Sequence, residues 1–83
     1  MDQREKLLNK ALRDPKSLRF EELCQLAEYY GFKLSRTRGS HRMYKREGCA
    51  RLLNFQGVGG KAKSYQVRQL LDAIEELGLA KDE

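Results

Sequence analysis

The 83 residues predict an α+β domain, a short leading helix followed by the order α-β-β-β-α. Three observations carry this. Apolar residues recur at helical spacing in residues 20–30 and again from Val67 to Leu77. Between those stretches three short strands fit, separated by the turn residues Gly39-Ser40 and Glu47-Gly48. Hydrophobic residues make up 40% of the chain and charged residues 35%, enough for one small core. An antiparallel meander with both main helices on one face buries all three apolar sides together.

Leu7, Leu8, Ala11 and Leu12 predict a leading amphipathic helix over 3–13. Asp14-Pro15 ends it, because the residue before proline avoids the α region. The apolar stripe is narrow and the helix basic, so loose packing or a waiting partner is expected. Phe20, Leu23, Cys24, Leu26, Ala27 and Tyr30 form one face of the second helix, with Glu21, Glu22 and Glu28 opposite. The acids of its first turn suit the helix dipole, and Gly31 follows as a C-terminal cap. Strands are predicted at about 32–37, 41–46 and 50–55. The adjacent apolar pairs Met43-Tyr44 and Leu52-Leu53 spoil the alternation, so the strand face carrying His41 is undetermined. Gly57, Gly59 and Gly60 read as a loop, and Ser64 as the N-cap of a last helix. Val67, Leu70, Leu71, Ile74 and Leu77 give that helix a core face, and Gly78 stops it.

Residues 1–15 are therefore expected as a helical extension of a domain spanning 16–83. Cys24 and Cys49 form no CxxC pair and lie near no second histidine, which argues against a zinc site and for reduced thiols. The charged N-terminus lacks a secretory core, and no apolar run approaches the roughly 20 residues of a membrane span. A cytoplasmic protein without metal or small-molecule cofactor is expected.

The charge is unevenly placed. Residues 33–51 hold seven Lys and Arg against Glu47 alone, a net +6 in a chain of net +5. His41, the single histidine, sits in the middle of this window. Such a field attracts a polyanion. RNA can be cut without metal when its own 2′-hydroxyl attacks phosphorus. The protein then supplies a base, an acid and cations around the phosphorane. His41 among Arg36, Arg38, Arg42 and Lys45 meets this demand, whereas two-metal chemistry needs clustered carboxylates. Charge alone favours nucleic-acid binding without catalysis. Lys61 and Lys63, just after Gly59-Gly60, form a second phosphate candidate, although the Walker A spacing is not met. Of the tyrosines, Tyr44 is the candidate for substrate contact.

The ordered set Phe20-Glu21-Glu22-Leu23, Gly31-Phe32, Arg36-x-Arg38-Gly39-Ser40-His41, Gly60-Lys61 and Gln66-Val67-Arg68-Gln69-Leu70-Leu71 resembles the HicA toxins of bacterial toxin–antitoxin pairs over about residues 18–79. The resemblance implies a fold like the double-stranded-RNA-binding domain and an mRNA interferase, an endoribonuclease held inactive by a cognate HicB-like antitoxin. It places the catalytic histidine on His41. The RNA-binding surface falls on Arg36, Arg38, Ser40, Arg42 and Lys45, with Lys61 and Lys63 at the last helix. One departure stands out. Many members carry Pro-x-His on the third strand, where this chain reads Asn54-Phe55-Gln56. If that histidine moves a proton, Gln56 cannot replace it; if it positions substrate, an amide serves.

Overall fold

The computed structural model describes residues 2–79; Met1 and residues 80–83, the two ends of the expected division, lie outside the described residues. The chain runs α1 (Gln3–Arg13), a 3-10 turn (Pro15–Ser17), α2 (Phe20–Tyr29), β1 (Lys33–Arg38), β2 (His41–Lys45), β3 (Leu53–Val58), β4 (Lys61–Ala62) and α3 (Ser64–Glu76). The strands form one antiparallel sheet in the order β1-β2-β3-β4. The α+β class holds, with four strands where three were expected. The extra strand arises because Gly59 and Gly60 both take positive φ, +61° and +79°. That pair makes a two-residue hairpin turn and folds Lys61 back onto Val58. The preceding segment joins in: Ala62 N–H donates to Leu18 C=O at 3.0 Å, and Phe20 N–H to Gly60 C=O at 3.0 Å.

β3 begins and ends three residues later than expected and takes in Gly57, which the sequence reads as loop; β1 and β2 differ from expectation by one residue. Lys63, not Ser64, is the N-cap of α3, and its side chain makes no capping bond. α2 ends as its sequence predicts. Gly31 has φ +88°, Phe32 N–H reaches Ala27 C=O at 3.0 Å and Gly31 N–H reaches Glu28 C=O at 3.1 Å, a Schellman closure.

The core takes Leu23, Leu26 and Ala27 from α2, Tyr44, Leu53 and Phe55 from the sheet, and Val67, Leu70 and Ile74 from α3. Leu7, Leu8 and Ala11 of α1 are buried in the same cluster, so α1 docks firmly rather than loosely; only Leu12 is left 60% exposed. Lys10 Nζ of α1 donates to Glu22 Oε1 of α2 at 2.9 Å, and Arg19 N–H donates to the same oxygen at 2.9 Å. Burial pushes the Glu22 carboxyl up, but the Arg19 and Lys10 contacts outweigh it and hold it below its ordinary value of 4.5. The stabilisation is therefore present above that value and is lost as pH falls through the lowered one. Glu22→Gln keeps an acceptor for Arg19 but no charge. Urea unfolding should show the wild type losing its advantage over this variant as pH falls below the ordinary carboxyl value of 4.5 and through the lowered one; a gap independent of pH would refute the ion pair as its source.

Cross-strand partners share a face of the sheet. Tyr44, Phe55 and Leu53 face the helices, as does Gly57, where a Cβ would come within 2.7 Å of the Phe20 ring. The opposite, outer face carries the alternate residues: His41, Met43 and Lys45 on β2, Asn54 and Gln56 on β3. A register shift between Leu34 and Arg36 inserts one extra residue, Ser35, into β1. Such a bulge changes which face later residues occupy. Arg36 thus lies opposite Met43, and Arg38 opposite His41. Were Ser35 paired in regular register instead of bulged out, both arginines would point toward the helices.

Candidate nucleic-acid interface

The outer face is open among the described residues. Lys33, Arg36, Arg38 and Lys45 are exposed, while His41, Met43, Asn54 and Gln56 are half-buried. His41 begins β2 directly after the Gly39-Ser40 turn, where Gly39 takes φ +60°. This pins the imidazole at the end of the strand, between Arg38 on one side and Gln56 on the other.

Its Nδ1 lies 3.2 Å from Asn54 Oδ1. An amide oxygen only accepts, so Nδ1 carries the proton in this arrangement. In the neutral ring Nε2 then holds the lone pair and can take a proton. Beside it runs a second set of contacts. Gln56 Nε2 donates to Ser40 Oγ at 3.1 Å, and Lys63 Nζ donates to Gln56 Oε1 at 2.7 Å. β4 stops at Ala62, so the Gln56 N–H finds no strand partner and donates to Gln66 Oε1 at 2.9 Å. Gln66, 4% exposed on α3, thereby ties the last helix to the strand bearing the site.

Most of the sequence candidates come together here. Arg36, Arg38, Ser40, His41 and Lys45 share the outer face or its rim, and Lys63 reaches it through Gln56. Lys61 is exposed on β4 opposite Val58, at the far edge of the sheet. Arg42 goes elsewhere, because strand alternation turns it toward α2. Its Nη1 donates to Glu21 Oε1 at 3.2 Å and lies 3.8 Å from Cys24 Sγ, and its guanidinium sits 5.0 Å from the Phe20 ring centroid. Tyr44 is not available for substrate contact. It is 1% exposed, packs against Phe55 at 5.4 Å, and points its hydroxyl at Glu28. Burial, together with Cys24, pushes its phenol well above the ordinary value. Burial likewise raises the Cys24 thiol, which keeps it protonated.

Sequence reasoning missed Asn54 and Gln66 as working residues. The available signal was the period-2 run Leu53-Asn54-Phe55-Gln56, which puts both polar side chains on one face once the strand starts at Leu53.

The two arginines beside His41 in sequence should behave differently. Arg38→Ala should weaken RNA binding and reduce the slope of log affinity against log salt by about 1, as one phosphate contact is lost. Arg42→Ala should leave that slope in place and lower the unfolding midpoint, since it removes a contact with α2. RNA titrations at several salt concentrations distinguish the two; equal slope changes would mean Arg42 leaves α2 for the ligand.

Among the described residues no three His, Cys, Asp or Glu side chains converge, and no helix is long and apolar enough to cross a membrane. No protein family, curated protein or solved structure matches this chain.

Proposed function

We propose that the chain is the toxin of a HicA-like toxin–antitoxin pair, a metal-independent endoribonuclease that cuts mRNA in the cytoplasm with His41 as general acid or base. The supporting observation is the imidazole itself: half-buried on an open cationic face, with Nδ1 on the Asn54 amide oxygen and Nε2 left for proton transfer. The helix-backed antiparallel sheet is compatible with a double-stranded-RNA-binding-like fold. The side chains around His41 are cations and amides, a donor set suited to a phosphodiester.

In the reaction, Nε2 takes the proton of the ribose 2′-hydroxyl as the 2′-oxygen attacks phosphorus. The bond from phosphorus to the 5′-oxygen breaks, and that oxygen takes a proton from the imidazolium or from water. The products are a 2′,3′-cyclic phosphate and a 5′-hydroxyl. Arg38 and its neighbours hold the phosphate while negative charge builds on it. A HicB-like antitoxin with an acidic surface would cover this face, so the complex should lose RNA binding.

Incubation in excess chelator with RNA and with a 2′-deoxy copy of the same sequence tests the reading. Cleavage of RNA alone, leaving cyclic phosphate ends, is the expected result; scission of the 2′-deoxy strand would sink the mechanism. A non-catalytic RNA-binding module is the second reading. It is favoured by Gln56, whose amide stands opposite His41 where a second proton-transfer group would sit. It predicts steep salt dependence and no strand scission under the same conditions.

A further inference from the structure

We propose that Gln56 is a positioning residue that brings Lys63, already among the cations expected to bind RNA, onto the same phosphate as His41. The inference rests on the reading of the outer face as an RNA site and assigns roles within it. His41 and Gln56 are direct cross-strand partners, which places their Cβ atoms about 4.5–5.5 Å apart. Gln56 Oε1 accepts from Lys63 Nζ at 2.7 Å, so the ammonium is held on the imidazole's own side of the sheet although it comes from the end of α3. The Gln56 backbone is fixed in turn by Gln66, and its amide nitrogen is occupied by Ser40.

The donor inventory shows what this leaves for a ligand. Lys63 has three N–H donors and spends one on Gln56. Ser40 Oγ accepts from Gln56, so its own O–H is available, and Gln56 Nε2 keeps one N–H. The partner of Lys63 here is a neutral amide, not a carboxylate, so its charge is not cancelled. Lys33 and Lys45, by contrast, are simply exposed on the strands. An ammonium already oriented by a neutral acceptor can stabilise charge that develops on phosphorus oxygens at little cost in ordering. A second histidine at position 56 would offer no amide oxygen to hold a lysine. Gln56 thus exchanges a proton-transfer group for a fixed positive charge.

The test is a double-mutant cycle on binding of a short 2′-O-methyl oligoribonucleotide, which cannot be cleaved. Wild type, His41→Ala, Lys63→Ala and the double variant are compared at one salt concentration, with Lys45→Ala in place of Lys63→Ala as the control cycle. If His41 and Lys63 meet one phosphate, the double variant should fall short of the product of the single effects by about threefold or more, while the Lys45 cycle multiplies. Gln56→Ala should erase most of that coupling, and Lys63→Arg should retain it. Because the Lys63 side chain makes no capping bond, replacing it removes no helix cap; Lys63→Gln serves as a second neutral variant, and the midpoint of each variant is measured so that the cycle compares folded proteins. Multiplicative effects in the Lys63 cycle would overturn the proposal. Coupling in a protein that cuts no RNA would keep the phosphate site and remove the nuclease reading. In an active protein, Lys63→Ala should lower the rate at saturating RNA far more than it raises KM, a split that Lys45→Ala should not show.

Discussion

His41→Ala is expected to lower RNA cleavage by about 10²–10⁴-fold while changing RNA affinity less than tenfold, the range for losing a positioned proton-transfer group. The expectation follows from the contacts of the ring. Nδ1 is engaged by Asn54, so only Nε2 is placed to serve the substrate, and no second imidazole exists in the chain to substitute for it. The cations open to a ligand, in contrast, are spread over Arg36, Arg38, Lys45 and the Lys63 end of the face. Single-turnover cleavage with excess protein separates the two quantities. Cleavage by His41→Ala at the wild-type rate would remove the histidine from the mechanism. His41→Asn would confirm that shape and polarity alone do not replace proton transfer.

Phe55→Ala is expected to cost about 3–5 kcal/mol in a domain whose total stability, from its length, is about 4–12 kcal/mol. Phe55 is 0% exposed and lies 5.4 Å from the Tyr44 ring. It points into the core from the strand whose neighbouring residues, Asn54 and Gln56, face outward to His41 and Ser40. The substitution therefore opens a cavity behind the site without touching it. Urea unfolding should show the loss as a shift of midpoint, and saturating RNA should recover part of it by mass action. A cost under 1 kcal/mol would show that the sheet does not depend on this ring.

The legible parts of the fold were those with a strong period or a strong local signal. α2 and α3 show unambiguous apolar faces, and Gly31 and Gly78 end them as their positive φ requires. The turn at Gly39-Ser40 was visible for the same reason. β4 was not, because a two-residue strand has too little pattern to stand out from a glycine loop. The start of β3 was obscured by Leu52, apolar yet exposed. The docking of α1 was underestimated, since whether a narrow stripe is covered depends on what lies beside it.

By itself the sequence determined the class of the domain, the concentration of positive charge between its main helices, and the place of the single histidine at a strand start after a tight turn. These depend on composition and local spacing. Only the tertiary structure decided which side chains meet. The Ser35 bulge brings Arg36 and Arg38 to the face of His41, while strand alternation sends Arg42 to α2 and Tyr44 into the core. Gln56 then joins Ser40 to Lys63 across three separate elements. The physical reason is the two-residue period of a strand: one inserted residue exchanges its faces, and no local property of the chain records whether a partner strand will accept the insertion.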